Sequence, residues 1–239
     1  MIKKTAIPIF VQVTLYWVAL IVFKIFLHFK VEGQENLKEI ENDSIIFASN
    51  HNSYLDGVFA AISLPRSSLW PKNFFPIRFL AIDRFFQWNF FPINIIYKLG
   101  GAVKITRAKD KKSDNSHLHE VLAEPIKLLK QREKIWIYPE GGFNDDSTPK
   151  KPRNGVTFLH QQTKTPIAPV AIIGNGKILS TEIFSLKTLA DILKSLLMMN
   201  KIKVVFGKPI YSTGDADLDE STDLIMNEIY KLKKQHEII

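Results

Sequence analysis

Apolar and polar residues alternate in short blocks along this chain. Short apolar runs that are bounded by polar residues, glycine or proline predict buried strands. These runs are residues 29–33, 44–49, 79–82, 102–107, 134–138, 166–173 and 202–206. Apolar residues at helical spacing predict helices over residues 56–64, 116–130, 155–162, 186–199 and 217–234. Strands alternating with helices predict an α/β fold, expected here as a single domain with a mixed, largely parallel sheet flanked by helices.

The longest apolar run, residues 7–29, lies near the amino terminus and is interrupted by Lys24. A helix needs about 20 apolar residues to span a bilayer, so this run is borderline. Lysines flank both of its ends and can reach lipid phosphates. We therefore predict that residues 1–30 form a membrane-associated helix, shallowly inserted or steeply tilted, followed by one domain over residues 31–239. The alternative is a helix packed on that domain.

The composition limits the classes of partner and of chemistry that the chain can be expected to have. The chain has 239 residues, no cysteine and a formal net charge of +8. Lack of cysteine excludes disulfides, thiolate metal ligands and a cysteine nucleophile. The positive charge suits an anionic phospholipid membrane, a phosphorylated substrate or nucleic acid. Because the basic residues are scattered and no nucleic-acid-binding motif is present, we expect no nucleic-acid partner.

The most informative polar segment follows the apolar run 44–49. His51 lies just past the predicted strand, and Asp56 comes five residues later. On one straight helix these side chains would point about 140° apart, so they can meet only if the chain turns between them. Ser53 is a good N-cap, which predicts a helix starting at Tyr54. Asp56 can then accept a hydrogen bond from one imidazole nitrogen and leave the other as a general base.

A less specific interpretation of the same segment stays open. The stretch from Ser53 to Asp56 also fits a capping-box-like pattern, with aspartate where glutamate or glutamine is more usual. His51 is then an ordinary polar loop residue.

Two further strand ends carry candidate chemistry. Arg107 ends the predicted strand 102–107, which also contains Lys104, and both cations are suited to phosphate. Glu140 and Gly141 follow the predicted strand 134–138, where glycine permits close backbone approach to a ligand. A solvated basic turn and a simple turn are the respective alternatives.

Taken together, these motifs resemble the glycerolipid acyltransferase superfamily, whose best-known members are 1-acylglycerol-3-phosphate acyltransferases. The family has four ordered blocks, and residues 31–206 hold a counterpart of each. The first, Asn-His-x4-Asp (the HX4D motif), corresponds to Asn50, His51 and Asp56. The second ends at Arg107. The third, Phe-Pro-Glu-Gly-Thr-Arg, corresponds to residues 138–143, and the fourth to residues 166–171.

The third block departs from the family pattern. Its threonine and arginine are replaced by Gly142 and Phe143. The missing arginine is expected to help hold the acceptor's phosphate, so its loss weakens the choice of lysophosphatidate as acceptor. Arg107 remains, and we expect that Lys104 or the basic loop compensates; the loop's basic residues are Lys150, Lys151 and Arg153.

The resemblance implies phospholipid biosynthesis, with acyl transfer from a thioester donor, acyl-CoA or acyl carrier protein, to the hydroxyl of a lysophospholipid, most simply 1-acylglycerol-3-phosphate. His51 would be the general base and Asp56 its support. Arg107, Lys104, Glu140 and Gly141 would bind or position substrate. We expect no metal and no other cofactor, and a protein on the cytoplasmic face of the inner or plasma membrane. Alternatives are transfer to another lysophospholipid or an aminoacyl lipid, and an inactive lipid-binding membrane protein.

Overall fold

The computed structural model describes residues 3–66, 74–87, 93–106, 117–142, 151–177, 201–213 and 217–237. Its centre is a seven-stranded sheet. The strands are β1 (His28–Glu32), β2 (Ile45–Ser49), β3 (Ile77–Ile82), β4 (Val103–Ile105), β5 (Lys134–Ile137), β6 (Ile167–Ile173) and β7 (Lys201–Phe206). Each overlaps a predicted apolar run. Strands β2, β5 and β6 are buried throughout, and a strand buried on both faces needs a nearly uninterrupted apolar stretch, whereas the edge strands β1 and β4 are partly exposed.

Helices cover the sheet. They are α1 (Lys3–Phe26), α2 (Asp56–Ile62), α3 (Ile93–Leu99), α4 (Leu118–Val121), α5 (Ala123–Lys130), α6 (Gly155–Thr163) and α7 (Leu218–Gln235). Short 3-10 helices are Gln34–Ile40, Asp83–Phe86 and Asn175–Lys177. The predicted helix 186–199 lies outside the described residues.

The strand order is β1-β7-β6-β2-β5-β3-β4. Neighbouring strands pair in parallel except β6 and β7, which are antiparallel. The prediction of a mixed, largely parallel α/β sheet in a single domain is therefore confirmed. Strands β6, β2 and β5 occupy the middle, so their carboxyl ends meet at one edge of the sheet.

Two apolar layers form the core, one on each face of the sheet. Alternate residues of β2 point to opposite layers, as the period of two requires. Ile45 and Phe47 pack with the α1 and α2 side, whereas Ile46 and Ala48 pack with α5, α6 and α7. Both layers bury their central side chains completely. The sheet is consequently a rigid platform for the loops at its edge.

Helix α1 has two different apolar faces. Its inner face packs on the domain through Tyr16, which meets the edge of Phe75, and through Phe23, which meets Phe59. Its outer face is exposed, and the large exposed apolar side chains there include Ile7, Phe10, Val18, Ile21 and Ile25. Residues Ala6–Phe26 are long and apolar enough to cross a membrane by length and composition alone. Packing on the domain and an apolar surface thus coexist in one helix.

Gln12 fixes this helix to the sheet. Its Nε2 donates to the carbonyl oxygens of Ile77, at 2.7 Å, and Gly100, at 2.6 Å. Its Oε1 accepts from the Ile77 amide at 2.9 Å. A single amide side chain of α1 therefore pairs with three backbone groups of the domain.

Two local predictions need correction. Helix α2 begins at Asp56 and not at Tyr54, because Ser53 accepts from the Leu55 amide within a turn that precedes the helix. The predicted helix 116–130 is divided into α4 and α5 at Leu122, whose backbone leaves the helical region.

The segment 34–43, which carries no strong helical pattern, contains a 3-10 helix that buries Leu37 and Ile40.

Candidate active site

Polar residues follow the carboxyl ends of the three central strands. His51 comes after β2, Glu140 after β5 and Asn175 after β6. In open parallel sheets this edge is where ligands bind. The sheet order brings together residues that are about 90 to 120 positions apart in sequence, as the hydrogen bonds below record.

His51 and Asp56 are in contact. The Nδ1 atom of His51 lies 2.9 Å from Oδ2 of Asp56. The Asp56 side chain is fully buried, while the His51 side chain is 18% exposed. The turn over Ser53 to Leu55 brings the two side chains together, whereas on one straight helix they would point about 140° apart. Because a carboxylate accepts from Nδ1–H, it fixes the tautomer in which Nε2 is the basic nitrogen.

The Asp56 carboxylate has further donors. The amides of Asn52 and Ser53 donate to Oδ2 at 2.8 Å and 2.9 Å. The Asn175 side chain donates to Oδ1 at 2.7 Å. The bond from the Ser53 amide to Asp56 has the form of one half of a capping box, although α2 begins only after Leu55, so Asp56 both closes the local turn and contacts His51. These donors stabilise the charged carboxylate in a buried position.

The backbone of His51 is braced from both neighbouring strands. Its amide donates to Oε2 of Glu140 at 3.0 Å, and Oε1 of Glu140 accepts from the Tyr230 hydroxyl of α7 at 3.2 Å. On the other side, Asn50 exchanges two hydrogen bonds with the backbone of Ile172 in β6. The Glu140 side chain is therefore engaged within the protein and holds the histidine loop.

A cavity of about 830 Å³ opens beside His51. Its walls come mainly from α1, α2, β3 and α3, and they are predominantly apolar; they include Leu15, Val58, Ala61, Phe79, Ile96 and Tyr97. Tyr138 also lines it, and the Tyr138 ring stacks on the His51 ring with centroids 4.0 Å apart and planes 15° apart. The size and lining are those of a small-molecule site with one polar end.

Burial raises the pKa of the Tyr138 hydroxyl well above that of a free tyrosine, and the nearby Asp56 and Tyr97 raise it further. Burial also raises the pKa of Tyr97. Both phenols are therefore neutral hydrogen-bond donors over the physiological pH range.

The basic candidates lie in different places. Arg153 lines the cavity close to Gly141, and a Cβ on Gly141 would lie 2.6 Å from Arg153 Cδ and Nε. Gly141 also has φ of 66°, so both its backbone and its contact favour glycine. Lys151 pairs instead with Asp219 at 2.8 Å. Lys104 is exposed on β4 and is not among the residues lining the cavity.

Three predicted features cannot be placed. Arg107, Phe143 and Lys150 lie outside the described residues. Within the described ranges, no group of three or more His, Cys, Asp or Glu side chains is arranged to hold a metal ion.

Sequence reasoning missed several contributors to this site. Asn175, Tyr138 as a ring partner of His51, and Tyr230 received no role. A signal was available for Asn175, because it follows a fully apolar strand as His51 does. Tyr230 gave none, since it lies within a charged helix far away in sequence.

Comparison with known proteins decides the family. The model of the protein family described as Acyltransferase matches residues 28–173. The chain belongs to this acyltransferase family. The matched segment contains both the His51–Asp56 pair and Glu140, so the resemblance drawn from the four motifs is confirmed.

Several relatives share the acyltransferase sequence. The chloroplastic 1-acyl-sn-glycerol-3-phosphate acyltransferase BAT2 of Brassica napus is 24% identical over 197 residues, 82% of this chain and 49% of that protein. The Homo sapiens enzyme named beta is 29% identical over 151 residues, 62% of this chain and 48% of that protein. The Bacillus subtilis (strain 168) enzyme is 24% identical over 190 residues, 79% of this chain and 77% of that protein. The chain thus spans about half the length of the plant and human relatives.

A solved structure shares the acyltransferase fold. The 1-acyl-sn-glycerophosphate acyltransferase PlsC from Thermotoga maritima superposes with a TM-score of 0.65 at 15% identity, covering 94% of this chain and 80% of that one. At this identity the likeness concerns the fold.

Proposed function

We propose that this protein transfers a fatty acyl group from a thioester donor, acyl-CoA or acyl carrier protein, to the hydroxyl of a lysophospholipid. The most direct acceptor is 1-acylglycerol-3-phosphate, which would give phosphatidate. The observation that carries the proposal is the His51–Asp56 pair beside a predominantly apolar cavity of about 830 Å³. The names of the relatives support the same activity.

His51 is the general base of the proposed reaction. Its Nε2 removes the proton of the acceptor hydroxyl as the oxygen attacks the thioester carbon. Asp56 holds the ring through Nδ1 and stabilises the imidazolium that forms. The bond to sulfur then breaks, and the thiolate leaves with its electron pair and takes the proton from the imidazolium. No group of the enzyme forms a covalent intermediate in this scheme.

The acyl chain occupies the apolar cavity. The walls supplied by α1 and α3 bury its methylene groups, and each buried methylene contributes roughly 0.8 kcal/mol. The exposed apolar side of α1 would rest in the lipid surface, which lets both lipid substrates enter from the bilayer. We place this membrane contact on the cytoplasmic face of the inner or plasma membrane, where thioester donors occur.

Arg153 would hold the acceptor's phosphate. It lies at the cavity beside Gly141, and the preceding residue, Glu140, accepts from the His51 amide. A guanidinium can bind two phosphate oxygens at once. Arg107 and Lys104 remain candidates for the same role or for the phosphates of the donor.

The test is thiol release from palmitoyl-CoA and from palmitoyl-acyl carrier protein in mixed micelles, with a panel of lysolipids. We expect turnover with lysophosphatidate, and a loss of at least about 10³-fold in His51→Ala at unchanged thermal stability. Turnover with only another lysophospholipid or an aminoacyl lipid would keep the chemistry and replace the acceptor. Lack of turnover with both donors and every acceptor would favour an inactive lipid-binding protein.

Arg153→Ala identifies the headgroup. We expect the KM for lysophosphatidate to rise about tenfold or more, with little change for an uncharged monoacylglycerol. Lys151→Ala is the matched control from the same loop, because Lys151 is exposed and already pairs with Asp219. Equal effects of the two variants would reduce the role of Arg153 to general surface charge.

A further inference from the structure

Arg84 is a second arginine at the cavity. It lies in the 3-10 helix Asp83–Phe86 that follows β3, and it lines the cavity as Arg153 does. Because Arg84 is also exposed, it stands where the cavity meets solvent. Strand β3 pairs in parallel with β5, so Arg84 follows its strand at the same edge of the sheet as Glu140 and His51. This is the edge at which such sheets bind ligands.

The strand register brings both arginines to the chain that follows β5. Phe79 of β3 is level with Trp136 of β5, and Arg84 and Gly141 each come five residues after that pair. Neighbouring strands lie about 4.8 Å apart, so the two strand ends are close. The Arg153 side chain packs directly against Gly141. Because glycine has no side chain, the space beside the two arginines stays open to a ligand.

A column of aromatic rings holds the Arg84 guanidinium. Its Cζ lies 4.9 Å from the centroid of the Phe85 ring, and Phe85 stacks on Tyr97 with centroids 5.6 Å apart and planes 23° apart. Stacking on a ring face restrains the plane of the guanidinium and leaves its N–H groups, which point outward in that plane, for a ligand. Among the described residues, no carboxylate forms an ion pair with Arg84 or Arg153.

The charges of the cavity lining favour an anion. Apart from His51, the charged side chains among the described lining residues are Arg84, Arg153 and Glu140. Glu140 already accepts hydrogen bonds from the His51 amide and the Tyr230 hydroxyl. A phosphomonoester carries a charge of about −1.5 to −2 at pH 7 and has three terminal oxygens. A phosphodiester has a single charge and fewer terminal oxygens, so two guanidiniums suit the monoester better.

We propose that Arg84 and Arg153 together clamp the phosphomonoester of the acceptor, and that Arg84 makes the protein prefer lysophosphatidate over lysophospholipids whose phosphate is a diester. This inference rests on the proposed function. Each guanidinium donates hydrogen bonds to the terminal oxygens, and no bond of the phosphate forms or breaks. The clamp anchors the glycerol so that its free hydroxyl is presented to His51 Nε2.

Arg84→Met tests the clamp, because methionine keeps an apolar side chain against Phe85 and removes the charge. With palmitoyl-CoA as donor, we expect the KM for lysophosphatidate to rise about 10- to 30-fold at nearly unchanged kcat. The KM for lysophosphatidylglycerol, a phosphodiester, should change less than about threefold. Lys98→Met is the matched control, since Lys98 is an exposed cation of α3 that does not line the cavity.

Two kinetic results would overturn the inference. One is an equal rise of KM for the monoester and the diester, or an equal effect of Lys98→Met, because either would reduce Arg84 to general surface charge. The other is a rise confined to the KM for palmitoyl-CoA, which would place Arg84 on the phosphates of the donor.

The double variant Arg84→Met/Arg153→Ala shows whether both arginines hold one phosphate. Residues that share a partner have coupled effects, whereas independent sites combine within about twofold. We expect the KM increase of the double variant to fall at least about threefold short of the product of the two single increases. An increase equal to that product would assign the arginines to separate ligands and would overturn the shared clamp.

Direct binding distinguishes failure of the inference from failure of the proposed function. The full chain is titrated with short-chain lysophosphatidate, and separately with short-chain lysophosphatidylglycerol, in a calorimeter without any thioester. We expect the Kd for lysophosphatidate alone to rise about tenfold or more in Arg84→Met. If the wild type shows this selective binding but turns over no thioester, the proposed function fails and the clamp stands. Turnover together with binding that does not depend on Arg84 overturns the inference alone.

Discussion

The two ends of strand β5 both bury charge but use it differently. At its amino end, Lys134 is 7% exposed and its ammonium lies 5.7 Å above the Phe74 ring. Beside it, Arg78 of β3 forms an ion pair with Glu133, and Arg78 also donates to the carbonyl oxygen of Gly101 at 3.2 Å. At the carboxyl end, Glu140 accepts from the His51 amide. None of the three amino-end residues lines the cavity, whereas Glu140 and His51 both do.

The comparison separates burial from function. The amino-end charges are compensated by each other or by a nearby ring, and none of the residues in these contacts lines the cavity. The carboxyl-end groups converge on His51, which faces a cavity that can hold a reacting atom. A buried charge thus becomes a functional candidate when its partners orient a reactive side chain toward a ligand space, and it is structural otherwise.

The largest expected effect is that of Asp56→Asn. An amide cannot stabilise the imidazolium, so we expect kcat to fall about 10³-fold or more in the thiol-release assay. The variant should also lose about 1–3 kcal/mol of unfolding free energy, because the amides of Asn52 and Ser53 lose a charged acceptor. Asp223→Asn, an exposed carboxylate on α7, is the control and should retain its rate. A comparable rate in both variants would contradict the dyad.

Substitutions of Asn175 are expected to have the next largest effect on kcat, and two of them together test its cause. Asn175→Ala removes one donor from Asp56 and should lower kcat about tenfold. Asn175→Asp places a second carboxylate against Asp56, which destabilises the ionised dyad and should lower kcat about 100-fold. The order of the two rates is the measurement that matters. If alanine were the slower variant, the electrostatic reason would be wrong.

Glu133→Gln tests the amino end. Removing one partner leaves Arg78 buried without its carboxylate, so we expect about 2–3 kcal/mol less unfolding free energy in a denaturant titration. The kcat of the folded enzyme should stay within twofold of wild type. A large loss of kcat in the fully folded variant would show that the amino end of β5 also serves catalysis. That result would contradict the assignment of its charges to a structural role.

The smallest effect concerns Lys134. Burial lowers its pKa from 10.5 to about 8, against the opposing attraction of Asp43 and Glu41. Between pH 8 and 10.5 the unfolded chain binds more protons at this lysine, so wild-type stability from this group rises with pH across that window. We expect Lys134→Met to be about 1 kcal/mol more stable at pH 7. That advantage should shrink toward pH 10.5, as paired denaturation curves can measure.

Much of the fold could be predicted from the sequence because burial leaves a local pattern. Every strand described overlaps an apolar run, and the pattern is strongest in β2, β5 and β6, since strands covered on both faces tolerate few polar residues. The exact start of α2 could not be predicted, because a serine hydroxyl can cap a helix or close a turn with equal ease. The division between α4 and α5 depends on a backbone change at Leu122 that leaves no apolar signal.

The candidate site could be predicted only in part from the sequence. His51 and Asp56 are close in sequence, so local chemistry was enough to pair them. Arg153 and Lys151 look equivalent as sequence, and only the structure places one at the cavity and the other on Asp219. Glu140 was expected to position substrate, while the structure engages its carboxylate with His51 and Tyr230.

From the sequence alone, the fold class, the family and the candidate His51–Asp56 pair could be inferred, because each depends on residues within one short segment or on the order of such segments. The three-dimensional structure adds that Asn175 donates to Asp56, that Gln12 docks α1 while the outer face of that helix stays apolar, and that Tyr138 Oη is buried with no partner among the described residues. The physical reason is that these contacts join residues brought together by strand order, and strand order is set by the packing of the whole sheet.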